Sequence, residues 1–600
     1  MPFLCLLQPS AEPKALPRQF KTKIDFPDCD SPGSAWRVGL TTPTTTNAHC
    51  RRPDEPLVLL DGYLSNRSHL LETLKDTANA SDPDAVLIGK YLASSPKANP
   101  TELKGCLFVC ALHPHSDELT LFRDRLGGRT GYWYQQTDFC AAASHAADLV
   151  GLQNRAFSPD PAFIASCFSL TGKPPVGHSA FEGIREMVPG ETIRLGHRKL
   201  TRVRKPGAAN DIQPPSDFEE QLAEFRRLLT LSIDNSLRFQ QTASAMVSGG
   251  MDSAPMTLIA DQLLARSGAA VQAISWYLSD CPAADERQWV EMLNPLLQRP
   301  IKFFDGSPLG PFEEISAQQV SPEAPLWNPC RAMIDHCYGI AAKSDCEVIL
   351  NGNAGDLLYP ERAWLFLETL ERSGLGEVLK DIGWIARRHG WQVAFRDPAL
   401  RRLLARKLGV DLFRRIKRGK RPQLRPWLSD HARQHLAQDD WPPSDEAFGY
   451  PDHYRKVFGQ TMAFGRAHEQ AYAQTHGLER RDPYQDEDLA SFMLGLPFTS
   501  SHFRDKSKFI ARMAARELLP EALWKKRRTG DLTPLISAGM ATHRPKIASI
   551  LAHRDNWKKW VKPEAVQEAL EQKSPTGQQQ LLVCQCLAYC LWLEHHDPVN

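Results

Sequence analysis

Apolar residues follow two different rhythms along this chain. Up to residue 204 they come in short runs, at 56–60, 106–112, 119–122 and 132–135, broken by turn-forming residues. That pattern predicts packed β-sheets with a few helices. The stretch 205–217 is polar and contains Pro and Gly, and it reads as a linker. From there the spacing turns helical, beginning with 218–239. Buried strands predicted at 245–247, 271–277 and 348–351 alternate with helices, the signature of a parallel sheet covered on its faces. Beyond 360 the pattern is almost wholly helical. The expectation is an α/β chain of two domains, 1–204 and 218–600, with no internal repeat and no low-complexity tract.

Composition narrows the class without deciding it. At 600 residues the chain is too long for a single core. It is 42% hydrophobic and 24% charged, with a net charge of +2, which gives no global case for a nucleic-acid or membrane partner. The start lacks the basic flank and length of a signal peptide, and no apolar stretch approaches a membrane span. A cytoplasmic protein is expected. Fourteen cysteines are scattered without a Cys-x-x-Cys pair, the closest groupings being Cys106 with Cys110, Cys330 with Cys337, and Cys584, Cys586 and Cys590. In their apolar surroundings they read as buried free thiols. One local run departs from the average. Arg401, Arg402, Arg406, Lys407, Arg414, Arg415, Lys417, Arg418, Lys420, Arg421 and Arg425 are opposed within 401–425 by Asp411 alone. It is either a solvated helix face or a docking surface for an acidic peptide or partner.

Chemistry concentrates at Ser248-Gly249-Gly250-Met251-Asp252-Ser253, between the strand at 245–247 and an amphipathic run at 254–265. A glycine pair lets the backbone bend so that its N–H groups point into an oxyanion at a helix N-terminus. Two hydroxyls add donors, and Asp252 adds a hard carboxylate suited to Mg²⁺. The loop lacks the Gly-Lys-Ser/Thr ending of a Walker loop, so it suits chemistry that releases pyrophosphate. It resembles the loop of the PP-loop ATP pyrophosphatases.

Further segments stand in order along the chain. They are Leu60-Asp61-Gly62-Tyr63, Phe122-Arg123-Asp124-Arg125-Leu126-Gly127, and Leu350-Asn351-Gly352-Asn353-Ala354-Gly355-Asp356. After these come Leu478-Glu479-Arg480-Arg481-Asp482-Pro483-Tyr484, Lys508 with Arg512, and Lys525-Lys526-Arg527-Arg528. Together they resemble the asparagine synthetase-like proteins over nearly the whole chain. The resemblance implies an N-terminal αββα sandwich of the glutamine amidotransferase type, followed by an ATP-dependent synthetase domain with a parallel sheet.

Departures from that family carry the functional information. Glutamine-using members begin with a cysteine whose thiol and α-amine act together, whereas here Pro2 follows Met1 and the nearest thiol is Cys5. The family's oxyanion-hole asparagine is matched by Asp61, whose carboxylate would repel a developing oxyanion. A domain that does not hydrolyse glutamine is expected. Where asparagine synthetases place a glutamate and β-lactam synthetases a tyrosine, this chain has Asn353. The Asn-Gly-Asn-Ala-Gly-Asp form resembles that of the lasso peptide cyclases, the maturation proteins of microcin-type lasso peptides. Arg528 replaces a lysine of the synthetases, and as a permanent cation it can stabilise an oxyanion but shuttles protons poorly.

What the resemblance implies is adenylation of an Asp or Glu side chain of a precursor peptide, then macrolactam closure by the peptide's N-terminal amine. ATP and Mg²⁺ would be required, and a leader peptidase and a leader-recognition protein would be partners. Ser248, Gly249, Gly250, Asp252 and Ser253 would hold pyrophosphate, Asp252 and Asp356 the Mg²⁺, and Val247, Trp276 and Gly352 the adenosine. Lys508, Arg528 and Asn353 would serve the reacting centre. Trp276 reads as a core residue before it reads as an adenine stacker, and Asp285 and Glu286 as an acidic pair or as helix caps. Glu479 and Arg481 read as structural partners. The alternatives are a β-lactam-forming or ammonia-dependent asparagine synthetase-like enzyme, or a non-catalytic protein that keeps only the nucleotide fold.

Overall fold

The computed structural model describes residues 3–9, 22–26, 34–40, 48–49 and 56–596, less short breaks and the longer stretches 205–212, 408–425, 437–452, 459–468 and 527–531. The first part of the chain forms two six-stranded antiparallel sheets packed face to face. In one sheet the order is Arg185–Glu186, Tyr132–Gln135, Cys140–Ala143, Phe3–Pro9, Ser34–Leu40, Thr22–Phe26. In the other it is Leu200–Arg204, Glu191–Gly196, Glu118–Arg123, Gly105–Leu112, Leu57–Leu64, Ala48–His49.

Side chains alternate across these strands, and both faces are buried. Phe108, Cys110 and Leu112 point into the core between the sheets, with Phe3, Cys5 and Leu121. Their neighbours Leu107, Val109 and Ala111 face outward under helix Asp84–Ser94, packing with Leu87, Ile88 and Tyr91. Double burial explains why 106–112 reads as a continuous apolar run. Helices Ala146–Val150 and Pro161–Ser169 cover the opposite sheet, which completes the αββα layering. The final helix, Gly577–His596, joins that same outer core, with Tyr589 5.6 Å from Phe168 and Trp592 5.3 Å from Phe181. The two halves of the chain thus share hydrophobic core.

The second sheet system is parallel and five-stranded, in the order Lys302–Asp305, Val271–Tyr277, Ala243–Met246, Val348–Leu350, Glu479–Arg481. From Ala243–Met246 the chain first moves to one side of the sheet and later returns to the other. The carboxyl ends of Ala243–Met246 and Val348–Leu350 therefore flank a topological switch point, where open α/β sheets bind ligands. Helix Phe218–Leu237 opens this part, N-capped by Asp217, whose carboxylate accepts from the backbone N–H groups of Glu219 and Glu220. Helix Ser253–Ala265 follows the first strand directly.

Beyond 360 the described elements are almost all helices, as expected, with three short strands as the exceptions. Glu479–Arg481 supplies the fifth strand, and His502–Phe503 pairs with Lys506–Ser507 in a small hairpin. Glu-Arg-Arg is an unpromising strand by hydropathy. Arg480 and Arg481 are buried nonetheless, paired with Asp482 and Glu479. Among the described residues no helix is long and apolar enough to cross a membrane. The twelve described cysteines are free thiols, ten of them buried.

Candidate active site

The Ser248–Ser253 turn is tied by its own hydroxyls. Ser253 Oγ accepts from the Ser248 N–H at 3.0 Å, the two hydroxyl oxygens lie 3.0 Å apart, and Ser248 Oγ accepts from the Gly250 N–H at 3.3 Å. Asp252 occupies the N-cap position of helix Ser253–Ala265, yet its side chain makes no capping bond. The carboxylate turns instead toward Lys508, which pairs with its Oδ2. Its Oδ1 is buried without a hydrogen-bond partner. A helix cap therefore does not account for Asp252.

Lys508 stands between two carboxylates, since its ammonium also lies 2.5 Å from Asp356 Oδ1. Burial works against the charged ammonium, but the two acids outweigh it and hold its pKa above the ordinary lysine value. Lys508 sits just before helix Phe509–Ala515 with φ 53° and ψ 42°, in the left-handed region. For a non-glycine residue this costs on the order of 1 kcal/mol, and such strain collects at functional sites.

The second loop lies against the first because two glycines permit it. A Cβ on Gly355 would stand 2.6 Å from the carboxyl carbon of Asp252, and one on Gly352 would stand 3.1 Å from the Ser253 nitrogen. The loop is anchored from the neighbouring strand. The Asn351 N–H donates to the Arg481 carbonyl at 3.0 Å, and the Ala354 N–H donates to Asp482 Oδ2 at 2.9 Å. Asn353 is left exposed, its N–H bonded to Asn351 Oδ1 at 2.9 Å. Beneath the first loop, the Tyr484 hydroxyl donates to the Asp252 carbonyl at 2.9 Å.

These loops enclose a cavity of about 550 Å³. Val247, Ser248, Gly250, Asp252, Ser253, Trp276, Gly352, Asn353, Asp356 and Lys508 all line it. Gly249 is buried against Trp289 behind the loop. Trp276 is only half-buried and borders both the core and the cavity, so the two readings of it coexist. Asp285 and Glu286 separate. Asp285 accepts from the Arg287 N–H at 2.9 Å, a local bond, while Glu286 lines the cavity and pairs with Lys526 at 2.6 Å. Arg528 and 408–425 fall outside the described residues.

Sequence reasoning missed two members of this site. Lys526 brings its ammonium within 3.3 Å of the Gly249 carbonyl, and Arg512 fixes that segment by donating to the carbonyls of Trp524 and Lys526 at 2.8 and 2.7 Å. The Lys-Lys-Arg-Arg run was the available signal, but nothing in it singled out Lys526. Tyr484 is the other, an aromatic residue that reaches the loop through its hydroxyl.

Asp252 and Asp356 are hard oxygen donors that share one ammonium, Lys508, and one buried oxygen of Asp252 lacks a partner. That donor chemistry fits Mg²⁺, which takes one or two carboxylates and completes its shell with water and phosphate oxygens. In the first domain Cys5 is fully buried within strand Phe3–Pro9. Asp61 is 3% exposed, with Arg129 Nε 3.6 Å from its Oδ1. Burial raises the Asp61 carboxyl, but nearby positive charges, Arg129 and His145 among them, hold it below the ordinary aspartate value.

Residues 224–594, well over half of the chain, match the family model for asparagine synthase. The chain belongs to the asparagine synthase family. Its second domain is accordingly an asparagine synthase-like, ATP-dependent amide-forming domain, of a family that uses ATP with Mg²⁺. No curated protein matches the chain. Two solved structures are similar at 11% identity and a TM-score of 0.21, each match covering 45% of this chain. One is described as the allosteric regulatory enzyme of purine biosynthesis, and the match spans 66% of it, just under two thirds. The other is the glutamine phosphoribosylpyrophosphate amidotransferase of B. subtilis, of which 67% is spanned.

Proposed function

We propose that this member of the asparagine synthase family is a lasso peptide cyclase. Its domains are 1–204, a degenerate amidotransferase-like unit, and 218–600, the adenylating unit. The observation that carries the reading is Asn353. It is exposed at the cavity, where other members place a charged or an acid–base side chain. A neutral amide can hydrogen-bond to a peptide without placing a carboxylate beside the one to be activated.

A carboxylate resists an amine because oxide is its leaving group. In the proposed reaction, a side-chain carboxylate oxygen of the precursor peptide attacks the α-phosphorus of ATP. The bond to pyrophosphate breaks, leaving an acyl-adenylate. The peptide's N-terminal nitrogen then attacks the acyl carbon, the bond to AMP breaks, and the nitrogen loses a proton. The products are macrolactam, AMP and pyrophosphate. Ser248, Gly249, Gly250 and Ser253 cradle the departing pyrophosphate with N–H and O–H donors. Val247, Trp276 and Gly352 border the adenosine. Lys508 neutralises charge at the α-phosphate and then at the tetrahedral oxyanion, with Arg528 as the second cation. Mg²⁺, held by Asp252 and Asp356, would supply further charge neutralisation on the phosphates.

A precursor freed of its leader implies a leader peptidase and a leader-recognition protein as partners. The test is mass spectrometry of a candidate precursor incubated with this protein, the peptidase, ATP and Mg²⁺. ATP-dependent loss of one water, in a product that resists carboxypeptidase, supports the reading. AMP formed instead with a small amino acid or β-amino acid would replace it with a small-molecule synthetase.

A further inference from the structure

The segment from Glu479 to Glu487 touches three things at once: the first domain, the Asn351–Asp356 loop and the pyrophosphate loop. Arg129, on the first-domain loop before strand Tyr132–Gln135, is 3% exposed and pairs with Glu479. Glu479 also accepts from Arg481 at 2.8 Å, and the Arg481 guanidinium lies 4.7 Å from the Tyr63 ring centre while donating to the Ser236 carbonyl at 2.9 Å. Arg129 and Arg481 are buried while Glu479 is partly exposed, so the two guanidinium groups depend on that carboxylate to remain buried. Farther along, Arg125 of the first domain pairs with Glu487, both nearly fully buried.

The same few residues then reach the site. The Arg481 carbonyl takes the Asn351 N–H, Asp482 takes the Ala354 N–H, and Tyr484 holds the Asp252 carbonyl. Strand Glu479–Arg481 is three residues long and, among the described residues, pairs on one side only, with Val348–Leu350. On its other edge the Arg480 N–H donates to Gln470 Oε1 at 3.1 Å, and Arg129 of the first domain reaches the Glu479 carboxylate. A short edge strand with one ladder partner is fixed in register partly by such ion pairs, and removing them loosens it.

We propose that the first domain acts as a clamp on the ATP site, and that Arg129 is a positioning residue for the two nucleotide-binding loops. It works through Glu479 and the Arg481–Tyr484 segment, without touching substrate. This gives the domain a task that does not depend on glutamine chemistry. The inference rests on the cavity being the ATP site, and titration of the unaltered protein with ATP and Mg²⁺ tests that separately.

The decisive experiment is hydrogen exchange on the full chain, with ATP/Mg²⁺ titration calorimetry, for Arg129→Met, Arg129→Lys and Tyr484→Phe. In Arg129→Met the amides of Asn351 and Ala354 should exchange faster, and the dissociation constant for ATP should rise roughly 3- to 30-fold. Arg129→Lys should recover part of both. Tyr484→Phe should weaken ATP binding while the Asn351 and Ala354 amides stay protected. A folded Arg129→Met protein with unchanged exchange at Asn351 and Ala354 and unchanged ATP affinity overturns the clamp. Should Arg129→Met fail to fold, unchanged ATP binding in both Arg129→Lys and Tyr484→Phe overturns it equally. Absence of ATP binding by the unaltered protein would sink the site assignment, and the exchange pattern would still decide the coupling.

Discussion

Gly355 lies so close to Asp252 that a Cβ added to it would stand 2.6 Å from the aspartate's carboxyl carbon. The two loops of the site are therefore packed backbone to side chain, with no room for a methyl group. Gly355→Ala should push Asp252 away from Lys508 and lower turnover about 100-fold, the usual scale for a displacement near 1 Å at a reacting centre. Because the clash is local, the melting temperature should fall by only a few degrees, roughly what 1 kcal/mol produces in a large domain. AMP release and thermal unfolding, measured on the same sample, check both halves.

Lys508 is the only described residue that bridges the two acids proposed to hold Mg²⁺. Lys508→Met should reduce kcat by about 10²- to 10³-fold, the range for loss of one preorganised donor at an oxyanion. Lys508→Arg keeps the charge but replaces a compact ammonium with a planar fork, and should recover activity only in part. A Lys508→Met protein with near-normal kcat would assign the charge stabilisation elsewhere, with Arg528 the first candidate.

Much of the fold was legible because apolar burial writes itself into sequence. Strand Val271–Tyr277 and helix Ser253–Ala265 fall where the periodicity puts them. Strand Glu479–Arg481 was not legible, because Arg129 and Arg481 cover its carboxylate with charge and hydropathy counts such residues as exposed. The Ser248–Ser253 turn is recognisable in the sequence through Gly249, Gly250 and Asp252. Its pairing with Lys508 is not, since the partners are 256 residues apart and only the folded chain brings them together.

Glutamine hydrolysis should be absent from the purified protein. Cys5 is sealed within a strand between two sheets, and Asp61 presents a buried carboxylate where an oxyanion would need a donor. The Asp61→Asn protein should be equally inactive, since restoring the amide leaves the thiol inaccessible. Ammonia release from glutamine, followed for both proteins, checks this. Turnover by either one contradicts it.

His145 should make the junction between the domains sensitive to pH. Its ring lies 3.5 Å from the carboxylate of Glu323, which is itself buried, and 2.9 Å from Gln474 Oε1. Burial alone would lower the histidine's pKa, but Glu323 outweighs it and raises it from 6.5 to about 9. A group whose pKa is higher when folded contributes its full stabilisation below its unfolded pKa, and loses it as pH rises through the folded value. Stability should therefore be greatest below about pH 6.5 for this group and fall toward pH 9, by up to about 3 kcal/mol. Denaturant unfolding at pH 6 and pH 9 measures the difference. His145→Gln should flatten this dependence, because the amide still reaches Gln474 and Glu323 but carries no titrating charge. If the slope persists in His145→Gln, another group is responsible for the pH dependence.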